Sequence, residues 1–351
     1  MALNNSNRLI IIWLFSGVML IMLMVIVGGI TRLTGSGLSI TEWNPIMGAI
    51  PPLNETAWNE AFEKYKQIPQ YKLENTHFSV SDFKFIFFWE WLHRLIGRVL
   101  GVVFIIPYLF FLWKKKIPSE LHPKLIIVFL LGGFQGFLGW FMVKSGLSEL
   151  TSVSHFRLAA HLITAFITCG YIIWIIFEIL NSKKSLLVIQ KQAVVLSKVT
   201  FILVLLQIIF GAFVAGLDGG FGYNTWPLMN GKWFNTESFS NQKSFLYQLF
   251  NQKYGVQIIH RYFAYVVLIF GVILGIAISK YTADNQVIKY SRYIAIAIFL
   301  QFLLGILTIL VLPHNPVLIG TMHQLGSFFV FCIFVIYLQL ISYRNPRKVR
   351  F

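Results

Sequence analysis

Apolar residues run along this chain in eight long, nearly charge-free stretches, at roughly 10–30, 85–113, 125–143, 157–180, 193–216, 254–279, 290–312 and 317–342. Each approaches or exceeds the ~20 residues that a helix needs to cross a bilayer. Inside a membrane a helix satisfies all of its own backbone N–H and C=O groups, so such runs read as spanning helices. The pattern predicts an all-α integral membrane protein with eight transmembrane helices, surrounded by lipid.

Composition agrees, with 57% hydrophobic and 12% charged residues in 351. The net charge of +16 at first suggests an anionic partner such as nucleic acid. Its placement argues for topology instead. Basic residues concentrate at the N-terminus, in the second, fourth and sixth loops and in the tail, as at Lys114-Lys115-Lys116, Lys183-Lys184 and Arg347-Lys348. The longer first and fifth loops mix bases with acids. By the positive-inside rule both termini are cytoplasmic and the long loops face outward, and no nucleic-acid partner is expected. The first apolar stretch is too long for a signal-peptide core and lacks an A-x-A cleavage site, so it should remain as an anchor. With few residues before it for a transit peptide, a bacterial cytoplasmic (inner) membrane is the expected location. Cys169 and Cys332 fall inside apolar helices and read as core residues rather than a disulfide framework.

The chain also resembles itself. Glu90-Trp-Leu-His93-Arg94 in the second helix matches Gln257-Ile-Ile-His260-Arg261 in the sixth. Gln135, Leu138 and Gly139 in the third match Gln301, Leu304 and Gly305 in the seventh. His161 and His323 open the fourth and eighth, while Gly29, Gly37 and Pro45 match Gly211, Gly219 and Pro227. Four matches in one order predict two tandem, pseudo-symmetric four-helix bundles, 1–190 and 191–351, joined by a linker around 181–192. All four histidines then lie in the first third of their helices, at similar depth toward the outer side.

Paired neutral imidazoles from facing helices can hold a planar haem iron from both sides, and a bundle interior supplies the apolar slot. His93 with His161, and His260 with His323, are therefore read as two pairs of haem ligands. His77, His122, His155 and His314 are expected to be ordinary surface residues. Glu90 is the acid embedded near His93, and its counterpart is the neutral Gln257. It can serve as an i,i+4 ion-pair partner of Arg94. Alternatively, one turn before His93, it can move protons or stabilise developing positive charge at a haem edge. The second reading makes the first half the reaction site and the second half the home of a resident cofactor. Arg32, Arg94, Arg98 and Arg261 are candidate partners for haem propionates, Arg32 in the first half only. Snorkelling helix-end cations are the alternative.

Seven segments in order carry a resemblance to the haem A synthase family, in its proteobacterial and mitochondrial branch. They are GGITRLTGSGLSITEWNPIMGAIPP, FKFIFFWEWLHRLIGRVLG, FQGFLGWFMVKSGL, FRLAAHL, GLDGGFGYNTWPLMNGKW, QIIHR and MHQLGSF. The resemblance spans essentially the whole chain. It implies oxidation of the C8 methyl of haem O to the formyl of haem A, for terminal oxidase assembly. It further implies a haem b between His260 and His323, the substrate haem O near His93 and His161, and Glu90 acting on the methyl as it is oxidised. Partners would be an electron acceptor and an enzyme supplying haem O, and a homo-oligomer stays open. Some relatives carry two cysteines in the first outer loop; residues 31–84 here contain none, so no thiol role applies. Two other readings stand beside this one. A di-haem electron carrier would keep two permanent b-type haems, and a haem transporter or chaperone would exchange haem unchanged.

Overall fold

A computed structural model describes residues 5–43, 47–147, 151–181, 189–234, 239 and 243–344. Eight helices among them are long and apolar enough to cross a membrane. In chain order the helices are α1 (Asn5–Leu33), the short α2 (Glu55–Tyr65) and α3 (Pro69–Leu73), α4 (Val80–Trp113), α5 (His122–Lys144), α6 (His155–Asn181), α7 (Lys191–Gly216), the short α8 (Phe245–Asn251), α9 (Lys253–Ala277), α10 (Asn285–Val311) and α11 (Pro316–Arg344). The spanning helices match the apolar runs to within a few residues. The expected linker falls largely on 182–188, and Pro45 also lies outside the described residues.

Packing sorts the helices into a centre and a rim. Half of the most apolar stretch of α11 and 44% of that of α6 are buried, against 11% for α4, α5 and α10. The rim helices instead expose apolar side chains such as Ile106, Leu130 and Leu300, as expected of a surface solvated by lipid tails. α1 packs against α4, α6 and α11, and α7 against α6, α9 and α11. The core between them is aromatic. Phe166, Phe328, Phe331, Phe334 and Tyr337 are all almost completely buried.

Local chemistry explains several joints. Pro107 sits inside α4. Proline has no N–H, so the carbonyl one turn earlier, Val103 O, lacks its helix donor. The indole Nε1 of Trp13 on α1 donates to that oxygen at 2.8 Å. A helix defect thereby becomes a contact between two helices. α4 begins with a capping box, in which Ser79 and Asp82 satisfy each other's backbone N–H groups. The segment before it folds α2 and α3 over the start of α4, around Phe62, Tyr65, Phe83 and Phe87. Burial pushes the Tyr65 phenol up to about 12, and its hydroxyl is held by Gln70 and Asn75.

His155 corrects an expectation. It is not a surface residue but is buried at the start of α6, with its ring nitrogen 2.9 Å from Phe250 O and its ring against Phe156 and Phe213. A residue at a helix end looks exposed in sequence until a distant short helix, here α8, covers it. His77 and His314 are exposed as expected. Cys169 and Cys332 are free thiols within the packed core.

Candidate functional site

Each of the four helix histidines lies over a glycine of a neighbouring helix. A Cβ placed on Gly28 of α1 would come within 3.0 Å of the His93 ring. The same holds for Gly139 of α5 beneath His161 at 3.4 Å, Gly211 of α7 beneath His260 at 3.0 Å and Gly305 of α10 beneath His323 at 3.1 Å. The missing side chain is what lets the edge of an imidazole come close to the facing backbone. The four glycines are therefore seats for the four rings.

His260 and His323 face each other with ring centroids 6.1 Å apart and planes at 90°. Two nitrogens each about 2 Å from one metal ion, plus a ring radius on either side, account for that separation. The pair opens into a mainly apolar cavity bounded by α1, α7, α9, α10 and α11. Arg261 and Arg32 reach the same cavity. Arg261 gives Nη2 to Tyr223 O and Thr225 O, while its buried Nε and Nη1 have no partner. Arg32 pairs with Asp218 at 3.0 Å and donates to Gly216 O, with its buried Nε also unpartnered. Buried orphan guanidinium donors are costly and mark a place for an anion. Two imidazoles, an apolar slot and unpaired guanidinium donors suit a metallated macrocycle that bears carboxylates. Among the described residues, no cluster of three or more His, Cys, Asp or Glu offers a site for a bare metal ion.

His93 on α4 and His161 on α6 are the other two seated histidines. Next to His93, Glu90 is 3% exposed and fully engaged. Its Oε1 accepts from Arg94 Nη2 at 2.6 Å, and its Oε2 accepts from Ser39 Oγ at 2.7 Å and Ile40 N at 2.9 Å. Arg94 also donates to Ile40 O and Glu42 O. The i,i+4 ion pair expected from sequence is present, and together the two side chains clamp residues 39–42 onto α4. Gln257 and Arg261 clamp residues 223–225 onto α9 in the matching manner, through Tyr223 O and Thr225 O. Arg98 lies one turn beyond Arg94 on α4 and is partly buried.

The structure thus brings Arg261 and Arg32 to the His260–His323 pair and sets Glu90, Arg94 and Arg98 along α4 with His93, with one change of place. Arg32, expected to serve the first half, stands at the cavity of His260 and His323 instead. Its side chain leaves the end of α1 toward the turn after α7, where Asp218, itself in a left-handed backbone conformation (φ 52°), pairs with it. The sequence reading gave no role to three glutamines. Gln207 Nε2 is 3.1 Å from His260 Nδ1 and 3.0 Å from His260 O. Gln301 stands likewise at 3.1 Å and 2.8 Å from the same atoms of His323. Gln135 reaches His161 O at 2.9 Å. A readable signal existed: each is an amide in an apolar helix, one turn before a seat glycine.

Comparison with known proteins gives the family. A family model described as COX15-CtaA, cytochrome oxidase assembly protein, matches residues 11–335. The chain is similar to a protein named "Heme A synthase" from Flavobacterium psychrophilum, 44% identical over 327 residues, which cover 92% of this chain and 95% of the relative. Proteins of the same name from Flavobacterium johnsoniae and Parvibaculum lavamentivorans are 43% and 42% identical, covering 93% and 95% of this chain and 96% and 94% of theirs. Eight membrane-length helices, four histidines on glycine seats and a match along nearly the full chain lead to one assignment: this protein belongs to the COX15-CtaA family of cytochrome oxidase assembly proteins.

Proposed function

We propose that this protein is a haem A synthase, a multi-pass membrane oxidoreductase that converts the C8 methyl of haem O into the formyl of haem A. The observation that carries the reading is the facing of His260 and His323 across one metal's width in an apolar cavity with orphan guanidinium donors. The names of the full-length relatives supply the reaction class. His260 and His323 would hold a haem b as resident cofactor, with Arg261 and Arg32 meeting its propionates. That haem, when bound, supplies one-electron redox chemistry. His93 and His161 would position the substrate haem O, with Arg94 and Arg98 on its propionate side. Residues 1–190 then form the substrate half and 191–351 the cofactor half. The basic loops support a topology with both termini in the cytoplasm of a bacterial cell and the sites in the outer part of its inner membrane. An electron acceptor and an enzyme that supplies haem O would act with it.

Glu90 is assigned to the reacting edge. One turn before His93, its carboxylate can stabilise positive charge as the methyl is oxidised or take up a released proton. Arg94, Ser39 and Ile40 N fix its two oxygens, so it acts from a set position. The test is to express the full chain with a supply of haem O and identify the extracted haems by mass. Haem A or its hydroxylated precursor is expected. Protein loaded with haem but lacking both products would overturn the enzymatic reading. Glu90→Gln should keep haem and lose product; normal turnover in that variant would leave Glu90 as the loop clamp alone.

A further inference from the structure

We propose that Gln207 and Gln301 are positioning residues for the two histidines of the resident haem, and that the lack of such a residue beside His93 makes His93 the releasable ligand of the substrate haem. The proposal rests on the reading of the two sites given above.

The geometry repeats three times and fails once. Gln207, Gln301 and Gln135 each stand one turn before a seat glycine, Gly211, Gly305 and Gly139. One helix face therefore provides both the glycine seat and an amide beside it. Gln207 and Gln301 reach the ring Nδ1 and the main-chain oxygen of their histidines. Gln135 reaches only the main-chain oxygen of His161, whose Nδ1 is buried with no partner. At His93 the seat is Gly28, and one turn before it stands Met24, a thioether with almost no hydrogen-bonding capacity. Its methyl packs toward Gly97 instead. The His93 ring is also turned over relative to the others. It presents Nε2 and Cδ2 to its glycine, where His161, His260 and His323 present Cε1 first.

A partner on the second ring nitrogen fixes the tautomer and plane of a ligating histidine, and its removal commonly costs 10–100-fold in metal affinity. With Nε2 given to iron, Nδ1 carries the proton and needs an acceptor. The Oε1 of Gln207 is buried without a partner on the same carboxamide, a soft terminal torsion away. The four histidines thus form a graded series: His260 and His323 each have an amide within reach of ring and backbone, His161 has one at the backbone only, and His93 is held by packing alone. A resident cofactor needs the first condition, and a substrate that must leave as product needs the last.

The experiment uses the full chain in nanodiscs, with haem b and haem O supplied during expression. Gln207→Leu, Gln301→Leu and Met24→Gln are compared with the parent. Haem transfer to excess apomyoglobin gives the release rate of each haem. Electron paramagnetic resonance and redox titration report the ligand field of the resident one. Gln207→Leu and Gln301→Leu should release haem b about 10–100-fold faster, shift its low-spin signal and raise its midpoint potential, with helix content by circular dichroism unchanged. Met24→Gln should slow release of the haem in the first site about 10-fold or more, with haem b unaffected. Unchanged release and spectra in both leucine variants, or unchanged release in Met24→Gln, would overturn the proposal. A change in release without a change in the low-spin signal would also count against positioning. Failure of the underlying reading looks different: the parent would then hold haem but make no haem A or hydroxylated product. A parent that binds no haem would overturn both.

Discussion

The two clamp-and-histidine regions use the same parts for different ends. In the first, Arg94 is spent on Glu90 and two carbonyls, and no amide touches the His93 ring. In the second, Gln257 cannot neutralise Arg261, which keeps two buried donors unpaired, and both histidines have glutamines at Nδ1. One carboxylate in place of an amide thus decides whether an arginine is consumed by its own loop or left for a ligand. The lesson is that two sites can keep matching histidines and glycine seats and still differ in which polar groups are left free.

The comparison can be broken most forcefully at the arginines. Arg94→Leu should destabilise the protein by about 3–5 kcal/mol, because it strands the buried Glu90 carboxylate. Arg261→Leu should cost about 1–2 kcal/mol, from two carbonyls losing one donor, and should shed haem. Thermal unfolding with pigment recovery measures both, and equal losses would mean that the clamps do not differ. Next come the seats. Gly211→Ala and Gly305→Ala should cost about 1–3 kcal/mol by overpacking against the rings, seen as lost pigment from the second site. Gly139→Ala, where the added carbon meets His161 at ordinary contact distance, should be milder. The finest test is Gln257→Glu, which gives Arg261 a carboxylate partner one turn away. Resident haem should then bind about 1 kcal/mol more weakly, roughly fivefold. Unchanged affinity would show that the free donors of Arg261 do not meet the ligand.

Much of this was legible before any coordinates. The spanning helices were readable because a bilayer demands long apolar runs, and the histidines stood out because ionisable residues there are rare. The Glu90–Arg94 pair follows from helix periodicity alone. Three things depended on tertiary approach and left weaker traces. Arg32 sits at a helix end, so only the neighbouring Asp218 determines which cavity it serves. His155 looked exposed because the α8 that covers it is only seven residues long and distant in sequence. The glutamines were visible as repeat matches at Gln135 and Gln301, yet their role required seeing a glycine one turn on with a ring above it.

The wall that α1 lends to the cavity of His260 and His323, through Gly29, Arg32 and Leu33, also has a consequence for biogenesis. This helix leaves the ribosome well before α9–α11. The cavity therefore cannot close until α1 and the later α9–α11 have met in the bilayer. Loading should be a final checkpoint of assembly, and a translation product stopped before α11 should be recognisable to quality control by a greasy, unsealed cleft along α1.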